Sequence, residues 1–211
     1  MNISFEVYER TSPGIEYVQD FWMREWDRVM KKLTGKEVNA QMFDEYDFHY
    51  VLRFNGKLGG IMSSAWQYKN QNFKKDSYYS ALDNPAEYID QTGFTNFHKM
   101  GMIAADLTVV PTDFRLTRVI IGCGMKYTKA YLQNCEGVVS FPRPDTSVYK
   151  ACVDWRAYSL KTDLTMYNVP VNFIVLKHSD LKTRHNDIQI NDTVEKLWKD
   201  REIIGQTLLS A

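Results

Sequence analysis

The residues best suited to chemistry lie in one segment, where an apolar run from Asp106 to Val110 meets a proline and a short polar turn. Arg115 and Arg118 stand at that turn, directly before an amphipathic pattern that predicts a helix. The first amides of a helix have no carbonyl acceptor within it, and the positive end of the helix dipole lies beside them. Amides and guanidinium groups together bind phosphate. The segment therefore predicts a site for a pyrophosphate-bearing donor, and the rest of the chain must supply an acceptor pocket.

Asp106 is the predicted general base of this site. A carboxylate among Ala104, Ala105 and Leu107 has a raised pKa if it is buried, which suits removal of a proton near neutral pH. The alternative is an exposed strand residue paired with a lysine. His98, just before the predicted strand, is the second candidate base, although a lone histidine is more often structural.

Three further groups of residues leave alternatives open. Cys123 and Cys152 offer nucleophilic sulfur, but packing as small apolar residues is the commoner role. An acidic cluster before a predicted strand could bind an acceptor amine or a metal, but such a cluster is more often a solvated turn. An aromatic-rich segment predicts either a ligand pocket or a lid packed on the core. The acidic cluster is Asp44, Glu45 and Asp47, and the aromatic residues are Trp66, Tyr68, Phe73, Tyr78, Tyr79, Tyr88, Phe94 and Phe97.

The composition is that of an ordinary globular domain. The chain has 211 residues with 26 basic and 26 acidic side chains, and its zero formal net charge argues against a general nucleic-acid binder or a polybasic membrane anchor. Three cysteines without a CxxC pair and four histidines without ligand spacing predict neither a disulfide framework nor a metal site. No apolar run reaches membrane-spanning length and the N-terminus has no secretion-signal pattern, so we expect a cytoplasmic protein.

The predicted elements put the donor segment near the middle of the chain. Apolar spacing predicts strands over 3–9, 48–54, 57–66, 102–110, 137–141, 155–160 and 169–177, and helices over 15–33, 85–91, 116–133, 145–152 and 193–208. No repeat or linker interrupts this order, so residues 1–211 are expected to form a single α+β domain. Its central sheet is expected to be mixed and mostly antiparallel with helices on both faces, and about 178–211 to be an extension with an amphipathic helix.

This order of elements resembles that of the GNAT superfamily of N-acyltransferases. In that family the fourth strand leads into a Q/R-x-x-G-x-G/A turn whose amides hold the donor pyrophosphate. The matching residues here run from Arg115 to Ile120. Arg115 matches the motif, whereas Arg118 and Ile120 stand at its two glycine positions, and Gly122 and Gly124 follow out of phase with it. The resemblance therefore rests on the order of elements more than on the glycines.

A second resemblance points to the autoinducer synthases and long-chain N-acyl amino acid synthases of that superfamily. It is carried by Phe43-Asp44-Glu45-Tyr46-Asp47-Phe48, by Gly59-Gly60-Ile61 after a strand and a turn, and by the acidic Asp106 at the start of the central strand. Members of that branch take acyl groups from acyl-CoA or from the phosphopantetheine of acyl carrier protein. An apolar tunnel in this chain would favour long acyl chains, and a shallow cleft would favour acetyl.

The resemblance implies transfer of an acyl group from such a thioester to a small-molecule amine, without a metal. Asp106 would take the amine proton, and Tyr149, where the family carries a tyrosine after the fifth strand, would protonate the leaving thiolate. The alternative role of Tyr149 is a core aromatic. The implied donor-binding residues are Thr108, Val109, Val110, Arg115, Leu116, Thr117, Arg118 and Val119, and the amides near Thr108 and Val109 would polarise the thioester carbonyl.

Two alternatives belong to other functional classes. A non-catalytic protein of the same fold, sensing a thioester or a small metabolite, is favoured by the missing loop glycines. The C-terminal helix also offers a face for a partner or a homodimer, formed by Val194, Leu197, Trp198, Ile203, Ile204, Leu208 and Leu209.

Overall fold

A computed structural model of the chain describes residues 1–35, 37–76 and 78–205 and contains an eight-stranded mixed sheet. The strands are β1 (Ile3–Glu9), β2 (Phe48–Phe54), β3 (Lys57–Tyr68), β4 (Asn96–Ala105), β5 (Gly137–Ser140), β6 (Tyr158–Met166), β7 (Val169–Lys177) and β8 (Glu202–Ile204). Their order across the sheet is β6-β7-β5-β4-β3-β2-β1-β8. The β4–β5 and β1–β8 pairs are parallel and the others are antiparallel, which confirms the predicted mixed, mostly antiparallel sheet.

Helices cover both faces of this sheet. The described ranges contain α1 (Ile15–Thr34), α2 (Ala40–Asp44), α3 (Pro85–Thr92), α4 (Leu116–Tyr131), α5 (Ser147–Asp154) and α6 (Ile188–Lys199). Side chains of α4, α5 and α6 form one core cluster with the sheet, and those of α1, α2 and α3 form a second on the opposite face. The predicted single α+β domain is therefore confirmed.

Local signals fix the ends of several elements. Asn55 and Gly56 join β2 to β3 with φ values of 50° and 80°, as the tight hairpin turn predicted for this pair requires. Gly35 caps α1 in the left-handed conformation. The side chain of Asp187 accepts hydrogen bonds from two amides at the start of α6, and that of Thr146 accepts one at the start of α5.

The centre of the sheet has an opening between β4 and β5. Their pairing joins only His98 with Val138 and Lys99 with Val139. Beyond Lys99, β4 stays with β3 but shifts register, and Met102 adopts a φ of 52°. A bulge of this kind bends the strand and increases its twist. The two parallel strands therefore diverge, and the resulting gap positions the candidate site.

The strand predicted over residues 102–110 is wrong in its bounds, because β4 ends at Ala105 and Asp106 begins a turn. The helix predicted from Asp145 begins two residues later, since Thr146 supplies the cap. Strand β6 lies at Tyr158–Met166, whereas the predicted strand began at Trp155, the residue that ends α5.

The C-terminal prediction is also corrected. Helix α6 ends at Lys199, and Glu202–Ile204 pairs with β1 as a parallel edge strand. Val194 and Leu197, which the sequence suggested for a dimer face, are buried in the core beside α4. Leu208 and Leu209 lie outside the described residues.

Candidate functional site

An apolar cavity of about 290 Å³ lies at the gap between β4 and β5. Residues of both strands and of both core clusters line the cavity. Because the two clusters lie on opposite faces of the sheet, the cavity extends through the sheet. Methionine, valine, isoleucine and leucine side chains form most of this lining. Its polar side chains include Tyr78, Ser140, Arg143, Thr146 and Tyr167. A deep apolar pocket with few polar groups is the usual form of a small-molecule site.

Two helix N-termini meet beside this cavity. Thr117, in the first turn of α4, has its hydroxyl 3.5 Å from that of Ser147, the first residue of α5. Thr146 and Val148 at the start of α5 line the cavity. The first turns of α4 and α5 therefore lie side by side, and the partial positive charge of both favours an anion there.

The two arginines of the predicted donor segment differ in their surroundings. The side chain of Arg115 is 58% exposed, and the nearest carboxylate, that of Asp187, is 3.9 Å away. Arg118 instead forms a 2.6 Å ion pair with Asp154 of α5, and its carbonyl accepts a hydrogen bond from the Trp155 indole. Arg115 is therefore available to a ligand, whereas Arg118 joins α4 to α5. The neighbouring Leu116 and Val119 are buried in the core.

The glycines that follow the motif are packing residues. Gly122 lies against the Trp155 ring and Val194, and Gly124 lies against the end of the Met62 side chain. Both are inside α4 rather than in a phosphate loop. Their out-of-phase position in the sequence is explained by close contact between α4 and its neighbours.

Replacing Gly122 with alanine should lower the free energy of unfolding by roughly 1–2 kcal/mol. The added Cβ would overlap the Trp155 ring, and overpacking costs about 1–3 kcal/mol, partly offset by the better helix propensity of alanine. Gly124→Ala is the matched control, because its Cβ would overlap only the end of the flexible Met62 side chain and would make ordinary contact with Met100, so it should cost less. Urea denaturation measures both, and an equal or greater loss for Gly124→Ala would contradict this account.

Asp106 caps the turn that follows β4. Its carboxylate accepts hydrogen bonds from the Thr108 amide at 3.0 Å and hydroxyl at 2.6 Å, and its carbonyl accepts from the amides of Val109 and Val110. The Thr108 hydrogen bonds, with Arg24 nearby, lower the pKa of this carboxyl, which is opposite to the expected direction. The amides near Thr108 and Val109, predicted to polarise a thioester, already donate to Asp106.

His98 lies within β4 and is fully buried. Its ring packs against Phe48 and Trp66, and neither ring nitrogen has a hydrogen-bond partner among the described residues. Burial lowers its pKa to about 3, so the imidazole is neutral. His98 does not belong to the cavity lining, and this position suits a core residue rather than the predicted base.

Tyr149 lies on α5, half-buried, with its hydroxyl 3.1 Å from that of Ser159. Its neighbour Val148 and the buried Cys152 line the cavity, whereas Tyr149 itself packs against the adjacent core cluster. Burial raises the pKa of the Cys152 thiol to about 12, so this cysteine is an unreactive part of the lining.

A buried lysine cluster next to the cavity was missed by the sequence predictions. Lys99 of β4 is fully buried, with its ammonium 3.1 Å from Asp76 and 3.7 Å from Glu45. Burial lowers the pKa of Lys99, and the two carboxylates oppose that shift. Three tyrosine rings surround the ammonium at 4.8 to 5.4 Å, those of Tyr46, Tyr78 and Tyr79. Glu45 was predicted as part of an acidic cluster, but its lysine partner carries no local signal.

The described part of the chain does not meet the requirements of a metal site, a membrane-spanning helix or a disulfide. No three side chains of histidine, cysteine, aspartate or glutamate come together there in a way that suits a metal ion. The helices found there all lack the combination of length and apolarity that a bilayer span requires. Cys123, Cys135 and Cys152 are buried and free.

Comparison with known proteins finds similarity in three-dimensional structure and none in sequence. No protein-family model matches the sequence, and no curated protein matches it either. Solved structures do. The acyl-homoserine lactone synthase LasI is 11% identical and superposes with a TM-score of 0.61 over 84% of this chain and 90% of its own.

Two further structures agree with the first. The CoA-dependent acyl-homoserine lactone synthase BjaI, determined with SAM and isopentyl-CoA, is 9% identical with a TM-score of 0.60 over 98% of this chain and 96% of its own. FeeM, an N-acyl amino acid synthase from uncultured soil microbes, is 10% identical with a TM-score of 0.57 over 84% and 91%. The chain therefore has the fold of the GNAT N-acyltransferases, in the form shared with these synthases.

Proposed function

We propose that the protein is an N-acyltransferase that moves an acyl group from a CoA or acyl carrier protein thioester to the amine of a small molecule. The observation that carries this proposal is the apolar cavity at the gap between β4 and β5, beside the N-termini of α4 and α5. The phosphates of a donor would bind at the positive ends of these two helices, and its acyl chain would occupy the cavity.

The donor would be held from two sides. Its phosphates would lie at the first amides of α4, from Leu116 to Val119, with the exposed Arg115 as the counter-charge. Its thioester carbonyl would face the edge of β4 that β5 leaves unpaired beyond Lys99, rather than the amides near Thr108 and Val109. Edge amides of this kind supply hydrogen bonds to a developing oxyanion.

The size of the cavity favours an acyl chain longer than acetyl. An engineered apolar cavity of ~150 Å³ admits benzene, so a cavity of about 290 Å³ has room for on the order of ten carbon atoms. Each methylene buried contributes about 0.8 kcal/mol, which is roughly a fourfold gain in affinity.

Tyr149 is our candidate for the proton donor to the leaving thiolate, because the family resemblance implies a tyrosine at this position and because it follows the cavity-lining Val148 on α5. Its replacement by phenylalanine should then slow thiol release with little change in donor binding. We assign no base role to Asp106 or His98, because the first is engaged in a turn and the second is enclosed by aromatic rings.

Acyl-CoA of increasing chain length should stabilise the protein against heat progressively, and free CoA should do so least. A ligand at a hundred times its dissociation constant adds about 2.7 kcal/mol to the free energy of unfolding. Differential scanning fluorimetry with acetyl-, hexanoyl- and decanoyl-CoA measures this series, in which the CoA head group is constant. Equal shifts for all three would contradict an acyl site in the cavity.

A thiol-release assay with a panel of amines then separates catalysis from sensing. Thiol release that depends on an amine supports the transferase. Stabilisation by acyl-CoA without release for any amine would favour the non-catalytic alternative, to which the glycine-poor motif at Arg118 and Ile120 is suited. Carrier-protein thioesters are tested in the same assay.

A further inference from the structure

The lining of the cavity includes the phenol of Tyr78, which no prediction from the sequence assigned to the reaction. Tyr78 lies just before a 3₁₀ turn at Tyr79–Ala81, in the connection between β3 and α3. Its side chain is buried and lines the cavity. Its ring makes edge contacts with Tyr79 and with Phe141, which follows β5.

The hydroxyl of Tyr78 reaches the point where the two parallel strands separate. A methyl group built on Gly101 would lie 3.5 Å from this hydroxyl and 3.9 Å from that of Ser140. Gly101 is two residues beyond Lys99, where the pairing of β4 with β5 ends, and Ser140 is the last residue of β5. A hydrogen-bond donor therefore stands directly beside the unpaired edge of β4.

Lys99 holds this tyrosine through Asp76. The Asp76 carboxylate accepts hydrogen bonds from the amides of Tyr78 at 2.9 Å and Tyr79 at 3.3 Å, and it also binds the Lys99 ammonium. That ammonium lies 4.8 Å from the centre of the Tyr78 ring. Lys99 and Gly101 are two residues apart on β4, so one strand fixes both the anchor of Tyr78 and the position that its hydroxyl faces.

We propose that the Tyr78 hydroxyl donates a hydrogen bond to the thioester oxygen as the acceptor amine attacks, and that Lys99 and Asp76 are positioning residues for it. This proposal rests on the acyltransferase function proposed above. In the attack a neutral amine nitrogen forms a bond to the carbonyl carbon, and the oxygen gains negative charge. That charge returns to the carbon as the C–S bond breaks, and the departing thiolate takes a proton from Tyr149. The nitrogen gives up its extra proton through solvent to Tyr149, so that a neutral amide and a free thiol result. Tyr78 keeps its proton throughout.

The environment suits a donor that does not ionise. Burial raises the pKa of Tyr78, so the phenol stays protonated at neutral pH and cannot compete as an anion with the developing oxyanion. Such a preorganised, buried donor acts mainly on the transition state, because the carbonyl oxygen carries more negative charge there than in the bound thioester.

Tyr78→Phe should lower kcat for thiol release about 10²–10³-fold and leave the KM for acyl-CoA and the acyl-CoA thermal shift nearly unchanged. Tyr127→Phe is the matched control, because Tyr127 is also buried, its hydroxyl has no partner among the described residues and it does not line the cavity. Its kcat should stay within twofold of the wild type.

A wild-type kcat in Tyr78→Phe, with the wild-type protein active, would overturn the role of Tyr78 and leave the proposed function intact. A wild-type protein that neither binds acyl-CoA nor releases thiol with any amine would overturn both. The two failures are thus distinguished by the wild-type measurement alone.

The positioning role of Lys99 is tested by a double-mutant cycle at 25 °C on proteins shown to be folded by circular dichroism. Lys99→Met should lower kcat about tenfold in the wild-type background but have little further effect in the Tyr78→Phe background, because the group it positions is then absent. Equal losses in the two backgrounds would overturn this role. Lys99→Arg should restore part of kcat.

Discussion

Lowering the pH from 8 to 5 should reduce the free energy of unfolding by roughly 4 kcal/mol through two buried histidines alone. His49 and His98 are both fully buried, and burial lowers the pKa of each from 6.5 to about 3. His49 stacks on Phe43 and bonds Ser63 through Nδ1, and neither nitrogen of His98 has a partner in the described residues. A second proton, which would charge the ring, therefore finds no acceptor at His49 Nε2 or at either nitrogen of His98 in the described part of the folded protein.

The sign follows from the protons bound in each state. Between pH 6.5 and about 3 the unfolded chain carries protonated histidines while the folded chain keeps them neutral, so the free energy of unfolding rises with pH in this window. At pH 5, which is about 1.5 units below the unfolded value, each histidine contributes about 2 kcal/mol of destabilisation. The stability from this source is present above pH 6.5 and is lost as the pH falls.

His98→Phe tests this explanation with a substitution that leaves no hydrogen bond broken. The aromatic packing on Phe48 and Trp66 is kept, so the free energy of unfolding at pH 8 should change little or rise. Between pH 8 and 5 the variant should lose about 2 kcal/mol less than the wild type, since other titrating groups are common to both. Urea titrations at the two pH values measure the difference. If the free energy of unfolding of the variant fell with pH as much as that of the wild type, the prediction would be contradicted. The same variant also tests whether His98 acts as a base, because thiol release would then be lost.

The elements that the sequence predicts well are those with a local cause. The apolar spacing of α1 and the Asn55-Gly56 hairpin depend on neighbours within a few residues, and both are found at the predicted positions. The donor segment is predicted in the same way up to the start of α4, because a strand, a turn and an amphipathic helix each have a sequence pattern.

The errors lie where tertiary contacts decide. Strand β4 begins at Asn96 and includes His98 and Lys99, polar residues that look like a loop until the packing around them is known. Ile203 and Ile204 continue the helical spacing of α6, yet pairing with β1 makes them part of a strand. Local preference is a weak prior that such contacts override.

The candidate site was predicted only in part for the same reason. Arg115 is exposed at the start of α4, as a phosphate-binding residue should be, and that position could be inferred from a turn followed by a helix. The pair of Lys99 and Asp76 joins residues separated by 23 positions in the sequence, with no shared motif. Nothing in the local pattern indicates that these charges meet, or that Tyr78 reaches Gly101.

Asp76→Ala should lower the free energy of unfolding by about 3–5 kcal/mol, the largest effect of a single substitution that we expect. It leaves the buried Lys99 ammonium without its nearest carboxylate and removes the acceptor for the Tyr78 and Tyr79 amides. Glu45 remains 3.7 Å from the ammonium, which favours the lower end of the range. Guanidinium denaturation measures the loss, and a change below 1 kcal/mol would mean that the pair is not buried as described.

The double variant Lys99→Met/Asp76→Asn separates the contribution of this ion pair to folding stability from its role in positioning Tyr78. Asparagine retains an oxygen for the Tyr78 and Tyr79 amides, methionine fills the volume of the lysine stem, and exchanging a buried ion pair for neutral groups is often neutral or stabilising. We therefore expect the double variant to recover most of the stability that Asp76→Ala loses. If its kcat for thiol release remains low in spite of that recovery, the charges are retained to hold the tyrosine and not to hold the fold. A double variant as fast as the wild type would show that the ion pair contributes only to packing.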